Sequence, residues 1–247
     1  MLNKNKLTEL AQDVKPFASA RLEDLRSLWQ RRCTGKVAVL GDASSSMQSA
    51  IEAATIFASM VSVCLDGELS FFSSGLVKSP YEKPQTVDET LEVCKQIRAN
   101  GCTSLAAALL PYYEKKKIVD VFVLVTDEEE NTRASNMFFA EMLSLYKKNV
   151  NPSVRLIVVC VGKGYVPFRD SLAQYDIDYR VVYIDGARAD LAKFDALLGQ
   201  IALYASNTTL CEIDAAAVVD NDTGHNDVER HRSVTTLYSC KRHFSLS

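Results

Sequence analysis

Residues 118–125 run Ile-Val-Asp-Val-Phe-Val-Leu-Val, apolar and largely β-branched throughout except for Asp120. A strand without a polar face must be covered on both sides, which is the situation of a central strand in a parallel sheet. Further strand-like runs lie at 37–41 and 154–161, at 68–72, which alternates and then runs apolar, and at 179–184. Between them lie segments with helical spacing at 48–64, 87–98, 134–148, 168–175 and 190–204, and a Leu/Ala run ending at Leu110. Leu76-Val77-Lys78 is short enough for an antiparallel edge strand. Such alternation predicts an α/β chain: a doubly wound, mostly parallel sheet with helices on both faces, right-handed crossovers and one short antiparallel edge.

A chain of 247 residues, 47% of them hydrophobic, can bury the core of one large domain or a domain with an appendage. We divide it into a helical segment at 1–33, the α/β domain at 34–204 and a polar tail at 205–247. Leu22, Leu25, Leu28 and Trp29 stand among charged residues in the first segment, the pattern of a helix covering a sheet edge or face. That segment also reads as an RNA-contacting arm, although nearby acids offset its arginines. A net charge of −3 gives no general attraction to nucleic acid or to a membrane surface. Seven widely spaced cysteines without a C-x-x-C pair read as free thiols in a reducing, cytoplasmic setting. No signal sequence opens the chain and no apolar run reaches membrane-spanning length. In the tail, His225, His231, Cys240 and His243 match no compact zinc spacing. Gly162-Lys163-Gly164 lacks the spacing of a nucleotide loop and reads as a turn.

The candidate chemistry lies where predicted strands end. Asp42, Ser44 and Ser46 form Asp-x-Ser-x-Ser directly after the first strand, turning three oxygens toward one point. Oxygen donors of this kind suit magnesium, manganese or calcium better than zinc or copper. The same residues also read as a helix cap. Thr103, preceded by Gly101, reads as either a ligand or the N-cap of the next helix. Asp127 brings a second carboxylate to the end of the central strand. In an open parallel sheet, ligands collect at this carboxyl edge.

Together these three segments resemble the metal-ion-dependent adhesion site of the von Willebrand factor A (vWA) family over roughly residues 34–204. Thr126-Asp127-Glu128-Glu129-Glu130-Asn131-Thr132 is similar to the style of intracellular members such as the A domain of Ro ribonucleoprotein autoantigens. The resemblance implies that Asp42, Ser44, Ser46, Thr103 and Asp127 hold one Mg2+ or Mn2+ ion, some through water. It implies a non-enzymatic protein-binding role in which a partner Asp or Glu completes the coordination. No RNA-binding helical repeat accompanies the domain, so RNA binding does not carry over. Three departures stand out: Ser45 between the serines, Gly41 before the first Asp, and Glu128 where glycine commonly follows the second. Glu128–Glu130 are expected to point into solvent and open the next helix; a carboxylate reaching the site would lower its residual positive charge. Two alternatives are a vWA scaffold with a vestigial site and a magnesium-dependent phosphohydrolase. The latter wants an acid/base two positions after Asp42, where Ser44 stands.

Overall fold

The structure, a computed structural model, describes residues 4–31 and 35–184, together with 194, 198–201 and 204. The polar tail with its histidines, Cys33 and most of the expected 190–204 helix lie outside the described residues. Six strands form one sheet in the order β3-β2-β1-β4-β5-β6. They are β1 (Val37–Asp42), β2 (Glu68–Phe72), β3 (Leu76–Val77), β4 (Val121–Thr126), β5 (Arg155–Val161) and β6 (Tyr179–Ile184). Every pairing is parallel except β2 with β3. The helices are α1 (Lys4–Gln30), α2 (Ile51–Leu65), α3 (Val87–Gln96), α4 (Leu105–Glu114), α5 (Phe139–Asn149) and α6 (Val166–Gln174). This is the doubly wound α/β fold the alternation predicts.

Alternation along the strands divides the core in two. Val37, Val39, Val121, Val123, Val125, Ile157 and Val159 face a layer that includes residues of α1, α2 and α3. Ala38, Leu40, Phe122, Leu124, Leu156 and Val158 face α4, α5 and α6. Side chains one residue apart on a strand point to opposite faces, so a strand apolar at every position serves both layers. Leu22, Leu25 and Trp29 bury one stripe of α1, whereas Leu28 is exposed. At about 100° per residue Leu22, Leu25 and Trp29 fall within about 60° of one another, whereas Leu28 lies about 60° beyond Leu25 and about 120° from Leu22, off that stripe.

Several local expectations need correction. The strand expected at 118–125 is β4, which starts at Val121. Asp120 stands just before it, accepting a 2.7 Å hydrogen bond from Lys36 N. The polar exception thus belongs to the strand's entry. The helix expected at 134–148 begins at Phe139, because Ser135 and Asn136 take positive φ in a tight turn closed by Ala134 and Met137. The helix expected at 87–98 is α3, which Thr86 caps by accepting from Glu89 N and which ends at Gln96. Asp88 pairs with Lys15 of α1 at 2.8 Å. The four described cysteines, Cys64, Cys94, Cys102 and Cys160, are free thiols. Among the described residues, no helix is long and apolar enough to cross a membrane.

Candidate metal centre

The strand order reverses between β1 and β4: from β1 the chain proceeds to β2 on one side and reaches β4 on the other. Loops leaving the two strands there diverge to opposite faces and open a crevice at the carboxyl edge. Asp42 is the last residue of β1 and Asp127 follows β4 directly, so the sheet itself delivers both carboxylates to this crevice.

Asp42 is fully buried. Its Oδ1 accepts from Ser44 N at 2.9 Å, and its Oδ2 accepts from the Thr126 hydroxyl at 2.5 Å. The first bond is the local turn an Asp readily makes with the backbone two residues on. The second follows from sheet register, since Gly41 pairs with Val125 and the next residues are Asp42 and Thr126. Ser44 is buried and Ser46 exposed, and their hydroxyls meet at 3.1 Å. Met47, almost fully buried, anchors the 3-10 turn Ser45–Ser49 that carries Ser46. That turn separates β1 from α2, so the helix expected from 48 begins at Ile51.

Gly41 has a steric reason. A Cβ there would collide with the Phe71 ring, meeting Cε1 and standing 2.6 Å from Cδ1. The glycine lets a large aromatic of β2 pack directly against the strand that ends in the site.

The Thr103 loop is tied to both other loops. Ser45 N donates to Gly101 O and Asn100 N to Ala43 O, at 3.0 and 2.8 Å. Thr103 N donates to Asn131 Oδ1, while Thr103 O accepts from Asn131 N and Thr132 N. Thr103 is therefore not an N-cap; Ser104 holds that position at α4. Hydrogen bonds thus join all three loops in a ring around the crevice.

The acids after Asp127 divide three ways, and the expectation that all face solvent is corrected. Glu129 alone is exposed; its N–H donates to Asp127 Oδ1 at 3.1 Å. Glu130 turns inward, accepting from Ala106 N of α4 and Phe139 N of α5 at 3.0 Å each. One carboxylate so satisfies free donors at the starts of two helices. Burial pushes its pKa up to about 7, against the lowering effect of these backbone donors. Glu128 is fully buried and bound in bidentate fashion by Arg169, with Nε to Oε2 at 2.8 Å and Nη2 to Oε1 at 2.9 Å. Tyr165 N donates to the same carboxylate at 2.8 Å. Glu128 therefore spends its charge on Arg169 and leaves the crevice's charge intact. Its φ is +71°, a left-handed conformation that costs a side-chain-bearing residue about 1–2 kcal/mol.

Burial raises Asp42 to about pH 6; its bonds to Thr126 and Ser44 pull the other way, and the neighbouring charge of Asp127 adds to the rise. Two carboxylates near enough to repel, with the Ser44, Ser46 and Thr126 hydroxyls around Asp42, fit a hard divalent cation that would neutralise both. Among the described residues no group of three or more His, Cys, Asp or Glu could hold a metal. Of the five predicted ligands, hydrogen bonds join Asp42, Ser44 and Ser46 directly or through one another. Asp127 lies within electrostatic reach, and Thr103 is linked through the backbone of its neighbours. Sequence reasoning missed Glu128, Glu130, Asn131 and Arg169 as the residues holding these loops. The only signal was an acid in a position where the turn calls for glycine.

A parallel sheet with this switch point and an Asp-x-Ser-x-Ser turn at it defines a vWA-type α/β domain. The model of the Ro60 vWA domain matches residues 36–171, more than half of the chain, and the chain belongs to that family. The family consists in general of binding and scaffold domains. Among solved structures, the chain is similar to proximal thread matrix protein 1 from the mussel byssus, described with a zinc occupied MIDAS motif. That match has 16% identity and a TM-score of 0.50, covering 70% of this chain and 48% of that one. It is also similar to a von Willebrand factor type A protein from Catenulispora acidiphila, with 14% identity, a TM-score of 0.48, and coverage of 70% and 43%. The chain spans less than half the length of these solved structures. No curated protein sequence matches it.

Proposed function

We propose that this domain binds one Mg2+ or Mn2+ ion through Asp42, Ser44, Ser46, Thr103 and Asp127, and uses it to attach a partner protein inside the cell. Two carboxylates leave a divalent ion short of ligands, and an Asp or Glu of the partner would complete the shell. The observation supporting this reading is the fully buried Asp42 beside a second carboxylate at the switch point, an arrangement that repels itself until a cation arrives. The role is one of binding, without turnover.

Ligand binding to the folded state alone raises stability by RT ln(1 + [L]/Kd), about 2.7 kcal/mol at a hundredfold excess over Kd. The native chain should therefore melt at higher temperature in millimolar Mg2+, and Asp42→Ala should lose that rise. Partner capture should fail in chelator. A second reading, a scaffold that holds no ion, draws support from the two protein donors already bonded to Asp42. An unchanged melting temperature in the native chain would decide for it. Hydrolysis of a phosphate ester that requires Asp42 would point to a phosphohydrolase instead.

A further inference from the structure

The loop after β4 carries an arrangement that a simple turn does not need. Glu128 adopts the left-handed conformation although it bears a side chain, and its carboxylate is fully buried. Arg169, from α6 and 41 positions along the chain, grips that carboxylate with two nitrogens and donates with a third, Nη1, to the Tyr183 hydroxyl of β6 at 2.8 Å. Space for this pair is reserved at Gly164, which has φ of +74°. A Cβ there would collide with Arg169 Nη2, stand 2.9 Å from Glu128 Oε2 and 3.0 Å from Cys160 Sγ. The backbone conformation, the buried ion pair and the vacant Cβ position are independent features that converge on one residue. That residue directly follows Asp127.

We propose that the Glu128–Arg169 ion pair is a positioning device for Asp127, locking the left-handed turn at Glu128 and so setting where the adjacent carboxylate faces the crevice. The pair touches no ligand; it acts through the backbone between residues 127 and 128. Without it, a residue with a Cβ relaxes toward negative φ and swings the Asp127 carboxylate away. A glycine at 128 would hold the turn with no partner, because it accepts positive φ freely. Arg169 and Tyr165 thereby couple the β5–α6 region to the cation's coordination. This inference rests on the cation site proposed above.

Replacing Glu128 by alanine or by glycine separates the pair from the turn it secures. Both substitutions remove the ion pair, so both should lower the melting temperature in chelator. Their cation affinities should split. Mg2+ titrated into the full chain by calorimetry should bind Glu128→Ala at least tenfold more weakly than the native protein, about 1.4 kcal/mol. Glu128→Gly should stay within about threefold of native, since glycine restores the turn. Arg169→Met should resemble the alanine variant; if the unpaired buried carboxylate prevents folding, the Ala/Gly comparison decides alone. Equal affinity in native and Glu128→Ala overturns the positioning role, as does equal weakness of Glu128→Ala and Glu128→Gly. A native chain that ignores both Mg2+ and Mn2+ overturns the cation site itself, before any substitution is compared.

Discussion

The two sides of the crevice are held by different means. On the β1 side, Asp42, Ser44 and Ser46 lie within five residues, and their contacts with one another are short-range in sequence. On the β4 side, Thr103 and Asp127 depend on side chains that reach far along the chain: Asn131 to Thr103, Glu130 to two helices, and Arg169 to Glu128. The Ser44–Ser46 turn is set by its own few residues, although Thr126 and Gly101 also hold Asp42 and Ser45 from afar; the far side is set by side chains reaching to the helices packed around it. The Ser44–Ser46 hydroxyl pair should therefore tolerate distant substitutions that disable the β4 side.

The largest effect that would test this contrast comes from Glu130→Ala, which strands the amide donors of Ala106 and Phe139 together. An unsatisfied buried donor costs about 1–3 kcal/mol, so two should cost about 2–6 kcal/mol in urea unfolding. Equal loss of amide protection on both sides of the crevice would break the comparison. Gly41→Ala probes the β1 side. Overpacking against Phe71 should destabilise by about 1–3 kcal/mol while leaving exchange protection at residues 128–131 unchanged.

Acidity gives a smaller, graded effect. Asp42 has its folded pKa raised to about 6 from 3.8, so in the cation-free chain its contribution is fully present below 3.8 and is lost as pH rises toward 6. Bound cation has the opposite dependence, because it competes with that proton. Mg2+ affinity should fall as pH drops through 6, by up to about tenfold per unit, or about 1.4 kcal/mol. A pH-independent Kd between 5 and 7 would contradict this. The smallest effect belongs to Thr86→Ala, remote from the site, which should remove the α3 cap for about 1 kcal/mol and leave cation binding unaltered.

The same contrast explains what the sequence made legible. Strands β2 and β6 match their predicted bounds, because alternation and flanking turns mark them locally. Asp42, Ser44 and Ser46 could be grouped from spacing alone. Nothing local announced that Glu128 would turn toward Arg169, or that Glu130 would join α4 to α5. A run of three glutamates reads as a solvated helix opening unless buried donors elsewhere are known. The late start of α5 was hidden in the same way. Ser135 and Asn136 suit a left-handed turn, but the apolar spacing around them imitates helix.

The bond between Thr126 and Asp42 closes a loop of 84 positions. Contacts of such separation must overcome the entropy of closing the intervening chain, and are expected to form late in the approach to the native state. At the proposed site, an ion held between β1 and β4 would then find half its cage missing in the nascent polypeptide and would not act as its template. Interactions absent from the transition state leave the folding rate nearly untouched and slow the reverse step. Divalent cation is thus expected to work as a brake on unfolding, lengthening the lifetime of the finished domain.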